Sequence, residues 1–182
     1  MIRIAAAALT ATLAVALAAP ASAALKAGAK APDFSAQGFQ AGKPISFSLA
    51  AARAKGPVVL YFFPAAETKG CNLEARLFAE AVGDFKAQGA TVIGVTAGNL
   101  DKLQAFSADT EKCSGKFPVA ADPDAKIAKS YDAGLALRPG WSSRTSYVIA
   151  PDGTVIHAYS DLSPDQHVNE TLSAVKAWKA RK

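Results

Sequence analysis

Residues able to do chemistry are scarce in this sequence. Cysteine occurs twice and histidine twice in 182 residues, and Cys71 and Cys113 lie far apart. Asn72, Leu73 and Glu74 follow Cys71, so the C-x-x-C spacing is missing. That absence argues against dithiol exchange, in which one thiol resolves the mixed disulfide of the other. It also argues against a copper-carrying site, which wants paired thiolates and a ligand histidine. No metal site and no cofactor are expected. There is no internal repeat, no linker and no second long apolar run after the first 23 residues. Excess positive charge, 20 basic against 15 acidic residues, is scattered. Its one modest cluster, Lys176, Lys179, Arg181 and Lys182, suits the end of a solvated helix. No nucleic-acid partner is expected.

What the chain does contain begins with a leader. Arg3 precedes an apolar run from Ile4 to Ala19, then Pro20, and Ala21-Ser22-Ala23 gives the small-x-small pattern of a signal-peptidase site. Residues 1–23 are expected to be a cleaved signal peptide, with an uncleaved anchor as the alternative. Residues 24–182 then form one domain, in the periplasm or outside the cell, without stable membrane association. A domain of that size buries an adequate core without staples. The cysteines are therefore not needed for stability, although in an oxidising compartment a structural disulfide is the default reading of such a pair.

The mature chain alternates strand-like and helix-like segments, the pattern of an α/β domain. Val58 to Phe63 is a continuous apolar run between Gly56-Pro57 and Pro64, read as a strand buried on both faces. A helix is expected from Cys71 to Gln88, with Leu73, Leu77, Phe78, Val82 and Phe85 on one face and Gly89 ending it. Thr91 to Thr96 reads as a second strand, parallel to the first. A further helix runs from Leu100 toward Ala108 with Asn99 as its cap. Asp122-Pro123-Asp124 leads into a short helix ending near Tyr131. Ser146–Ala150 and Val155–Tyr159 flank Pro151-Asp152-Gly153 as a hairpin, and a last helix starts near Ser163. The outline is a central mixed sheet with helices on both faces, a thioredoxin-like arrangement.

The segment from Phe63 to Cys71 leaves the first strand and delivers Cys71 to the first turn of the next helix. Free N–H groups and the positive end of the macrodipole favour a thiolate there. Thr68, three residues earlier, can turn its hydroxyl toward the sulfur. Glu74, three residues later, stands in a capping-box-like position and could bond back to the loop. His157, on a strand, and His167, at a helix start, read as ordinary surface or core residues.

Pro64, Thr68 and Cys71, spaced P-x-x-x-T-x-x-C, resemble the active-site motif of the peroxiredoxins. Tyr61-Phe62-Phe63-Pro64, Gly70-Cys71 and Glu74 are similar to the bacterioferritin-comigratory or Q-type branch, here in an exported form. Ala31-Pro32-Asp33-Phe34 and the stretch Phe117 to Asp122 extend the likeness along the mature chain. Arg144 falls where that family carries its active-site arginine. The resemblance implies a thiol-dependent peroxidase of thioredoxin-like fold, acting on hydrogen peroxide, organic hydroperoxides or both. Cys71 would be the nucleophile and Arg144 would stabilise developing charge. Thr68, Gly70 and Arg144 would hold the peroxide, Pro64 would shape the loop, and Glu74 would support it.

Cys113 would then attack the sulfenic acid of Cys71, and a thioredoxin-like or glutaredoxin-like reductant would reduce the disulfide. Some relatives place this resolving cysteine five residues after the nucleophile, where Arg76 stands here. A one-cysteine enzyme, and a secreted binding module with a permanent Cys71–Cys113 bridge, remain the alternatives. Phe62, Phe63 and Trp141 could line an apolar approach, although core packing is the favoured role for Trp141. A monomer is expected, because nothing argues for a large apolar interface.

Overall fold

The structure, a computed structural model, describes residues 24–181. The signal-peptide assignment therefore lies outside the described residues. Seven strands form one mixed sheet: β1 (Ser35–Gln40), β2 (Lys43–Ser48), β3 (Val58–Phe62), β4 (Thr91–Thr96), β5 (Val119–Ala121), β6 (Thr145–Ile149) and β7 (Val155–Ser160). Five helices surround it: α1 (Leu49–Arg53), α2 (Lys69–Ala87), α3 (Leu103–Ala108), α4 (Lys126–Ser130) and α5 (His167–Lys179). The strand order is β2-β1-β5-β4-β3-β6-β7. Only β3–β4 and β4–β5 pair in parallel, as the expected strand–helix–strand unit requires.

The period of two in β3 divides the core. Val59, Tyr61 and Phe63 face α2, α3 and α5, together with Phe78, Phe85, Phe106 and Val175. Val58, Leu60 and Phe62 face α1 and α4, together with Leu49, Tyr131 and Tyr147. Burial on both faces explains why β3 reads as an unbroken apolar run. Both cysteines belong to the first of these layers.

Several expectations need correction. Helix α2 begins two residues early, at Lys69, because Thr68 holds the extended cap conformation and Asn72 N–H donates to its carbonyl. Leu73 is 41% exposed, and the buried stripe instead runs through Cys71, Glu74, Ala75, Phe78 and Ala79. Asn99 is left-handed (φ 53°) and makes no cap bond to the 3₁₀ turn that precedes α3; its amide is used elsewhere. Helix α5 starts at His167, four residues later than the pattern indicated. The β1–β2 hairpin and α1 were not anticipated. Phe62 and Phe63 are fully buried on opposite faces of β3 and line no approach. Trp141 is half-buried and covered by the Arg138 guanidinium, 3.3 Å from the ring centroid.

Candidate active site

The loop from Phe63 to Cys71 is held by its own carbonyls. Ser142 Oγ donates to Phe63 O at 2.7 Å, Thr96 Oγ1 to Pro64 O at 3.2 Å, Thr68 Oγ1 to Ala65 O at 3.1 Å, and Asn99 Nδ2 to Ala66 O at 2.8 Å. Four consecutive carbonyls thus find side-chain donors, one within the loop itself, two at the end of β4 and one before β6, which satisfies a partly buried irregular backbone. Glu67 is left-handed at φ 63°, a strained conformation for a side chain of that size. Its carboxylate takes Lys112 Nζ at 2.6 and 2.8 Å.

Thr68 spends its proton on Ala65, leaving its hydroxyl lone pairs free to accept. Pro64, half-buried, flanks the turn. Cys71 is the third residue of α2 and 1% exposed. The N–H groups of Lys69, Gly70 and Cys71 precede the first bond of the helix, which Asn72 N–H makes to Thr68 O.

Arg144 enters from the residue before β6. Its Nη2 lies 3.6 Å from Cys71 Sγ, its Nη1 donates to Glu74 Oε2, and its Nε donates to Leu162 O at 2.8 Å. The guanidinium is buried and fixed at three points, with Nη2 the nitrogen that faces the sulfur. A Cβ on Gly70 would sit 3.0 Å from Nη2, so any larger residue there presses on the guanidinium. The structure thus brings Pro64, Thr68, Gly70, Cys71, Glu74 and Arg144 together.

Glu74 does not form the expected capping box. It is fully buried and turned toward Arg144. Burial raises its carboxyl to about 8, outweighing the opposing pull of the arginine. Its Oε1 has no hydrogen-bond partner. Arg144 is itself held further toward its charged form, by Glu74 and Cys71, against the opposing and largest effect of burial.

Cys113 sits after α3 in a turn that runs through Ser114 (φ 51°) and Gly115 (φ 65°). Both cysteines are free and buried. Burial pushes the Cys113 thiol well above its usual range. The segment is tied to the Cys71 side by Lys112, which bonds Glu67 and, at 2.8 Å, Asp109, and by Arg76 Nη1, 3.5 Å from Glu111. Among the described residues no cluster of side chains could hold a metal ion, and no helix is long and apolar enough to cross a membrane.

Sequence reasoning missed Ser142, Thr96 and Asn99 as the pins of the loop, and it missed Lys112. No local signal marks the three pins, since each bonds a main-chain atom brought near only by folding.

The AhpC/TSA family matches residues 27–158. Among curated relatives, the chloroplastic peroxiredoxin Q of Sedum lineare is 32% identical over 142 residues, covering 77% of this chain and 73% of its own. That of Arabidopsis thaliana is 34% identical over 151 residues, covering 82% and 67%. Among solved structures, the peroxidoxin BcpB of Mycobacterium tuberculosis superposes with a TM-score of 0.71 at 29% identity, covering 84% of this chain and 97% of that one.

Proposed function

Because this chain belongs to the AhpC/TSA family, with a thioredoxin-like fold and the activity of a thioredoxin-type thiol peroxidase, we propose that Cys71 is its peroxide-reducing nucleophile. The observation that carries this assignment is the Arg144 guanidinium fixed 3.6 Å from a sulfur on the first turn of α2. The Cys71 thiolate attacks one oxygen of the hydroperoxide; the S–O bond forms as the O–O bond breaks. The second oxygen leaves as hydroxide or alkoxide and takes a proton to become water or an alcohol. Cys71 is left as a sulfenic acid. Arg144 and the N–H groups of Gly70 and Cys71 stabilise the charge moving onto the departing oxygen, and the free lone pairs of Thr68 accept from the peroxide O–H. Fixed donors orient the peroxide, and no side-chain base takes part.

Cys113 resolves the intermediate. Its sulfur attacks the Cys71 sulfur, a disulfide forms and the sulfenic oxygen leaves as water; an external dithiol then reduces the bridge. Two buried sulfurs on separate segments must come within about 2 Å, so the segment after α3 opens first. The high-lying Cys113 thiol requires the same step, since the thiolate is the nucleophile. The leader-like residues 1–23 support an exported enzyme. Its reductant there is a thioredoxin-like or glutaredoxin-like protein of the same compartment. Stopped-flow mixing with peroxide tests the core assignment: wild type reacts and Cys71→Ser does not. A Cys71→Ser protein that turned over peroxide normally would overturn it.

A further inference from the structure

Strand β4 is paired over Thr91–Val95 by β3, but only over Gly94–Thr96 by β5. The main-chain bonds alternate along it. Thr91 N–H donates to Pro57 O and Val95 O accepts from Phe63 N–H, both on the β3 side. Gly94 N–H donates to Pro118 O and Thr96 O accepts from Asp122 N–H, both on the β5 side. The same alternation turns the N–H and C=O of Val92 toward β5. One step further down the ladder, the Val92 carbonyl would need the N–H of residue 118. That residue is Pro118, which has none. The pairing ends there, and the sheet has a gap beside the first half of β4, with the Val92 N–H facing it.

A cavity of about 370 Å³ occupies this gap, with Val92 among its walls. Both layers of the core contribute to it, Phe47 from one and Val82 and Phe117 from the other, as an interrupted sheet allows. Three cations from three separate segments stand around it: Lys55 just after α1, Lys86 in the last turn of α2, and Lys116 before β5. Lys116 Nζ donates to Ala79 O at 3.0 Å, which leaves two of its three hydrogens. No acidic side chain lines the cavity. It is also remote from the sulfur, because Val82 lies roughly 16 Å along α2 from Cys71 at a rise of about 1.5 Å per residue.

These walls ask for two things at once. Like charges gathered around one opening repel, and an anion relieves them; a main-chain N–H at the sheet gap is a further donor to it. A small hydrated anion would leave Phe47, Val82 and Phe117 wet, and a neutral hydrocarbon would leave the lysines without a counter-charge. Volume and lining suit a small molecule that is mostly apolar with one polar end.

We propose that this cavity binds a medium-chain carboxylate: the hydrocarbon body lies against Phe47, Val82 and Phe117, and the carboxylate accepts from the Val92 N–H within the field of Lys55, Lys86 and Lys116. The site stands apart from the peroxide chemistry and does not depend on the role given to Cys71.

NMR titration of the reduced protein with monomeric sodium decanoate at low salt tests it. The Val92 amide proton is expected to move downfield and saturate, with Phe117 shifting alongside and the Gly70 and Cys71 amides unmoved. Octanoate, two methylenes shorter, should bind roughly tenfold more weakly. Decanol, which lacks the charge, should also bind about tenfold more weakly, and acetate, which lacks the body, should give no saturable shift. The double variant Lys55→Gln/Lys86→Gln should weaken decanoate binding about tenfold and keep the wild-type rate of the first peroxide step, which shows that its fold is intact. Decanol binding as tightly as decanoate, an unchanged affinity in the double variant, or saturation without movement of Val92 would overturn the proposal. A wild type inert to peroxide would overturn the Cys71 reading instead, and the decanoate titration would still decide the fate of the cavity.

Discussion

Cys71 and Cys113 are both buried thiols on the same face of the sheet, but their surroundings differ in kind. Cys71 stands on the first turn of a 19-residue helix, behind a loop whose first four carbonyls are pinned, with a guanidinium fixed at three points beside it. Cys113 stands in a turn with two left-handed residues, beside a lysine, Lys112, that gathers the Glu67 and Asp109 carboxylates. One sulfur has a fixed guanidinium beside it, while burial holds the other thiol toward its neutral form. A peroxidatic cysteine must be ready before substrate arrives, whereas a resolving cysteine must be released after it.

The sharpest way to break this contrast is to remove each sulfur. Cys71→Ser should abolish peroxide consumption. Cys113→Ser should leave the first reaction intact and stop turnover with a dithiol reductant, which rapid-mix and steady-state assays separate. Next in size is Arg144→Lys. It keeps the charge but cannot reach Leu162, Glu74 and Cys71 together, so the peroxide rate should fall roughly 10²-fold, the scale of losing one fixed donor to a developing anion. Gly70→Ala should cost about tenfold, because the new methyl meets an arginine that cannot step aside, and near-attack geometry is sensitive to small displacements. The smallest effect belongs to the other cysteine. Lys112→Ala frees Glu67 and Asp109 and should speed Cys71–Cys113 disulfide formation by about two- to fivefold, without changing the first peroxide step. This is the scale of releasing a partly exposed ion pair.

The pH dependence of stability sharpens the same comparison. Glu74 rises in the folded state from 4.5 to about 8, so the folded protein holds a proton that the unfolded chain releases. Its contribution is fully present below about pH 4.5 and is lost as pH rises toward 8. Urea titrations of wild type and Glu74→Gln across that window should therefore diverge toward alkaline pH, with the variant flatter.

The difference between the cysteines also marks how far the sequence could be read. The strand before Cys71, the helix after it and the hairpin beyond Arg144 follow from local patterns: a doubly buried apolar run, a three-to-four spacing and a Pro-Asp-Gly turn. These place Thr68 and Cys71 at the start of the helix, whereas Arg144 is reached only through the resemblance to the peroxiredoxins. What escaped was non-local. Glu74 looked like a cap because capping is judged within one turn, whereas its partner Arg144 lies 70 residues away. Phe62 and Phe63 looked like approach residues until the strand's alternation buried one on each face. The grip of Lys112 on Glu67 spans 45 positions and leaves no sequence pattern.

The most direct test of the division between the two sulfurs is mass spectrometry of wild type and Cys113→Ser after one equivalent of peroxide, with a sulfenic-acid trap present. The account predicts a trapped sulfenic acid on Cys71 in the variant and a Cys71–Cys113 disulfide in the wild type. Oxygen found first on Cys113, or a persistent Cys71 sulfenic acid in the wild type with no internal disulfide, would contradict it.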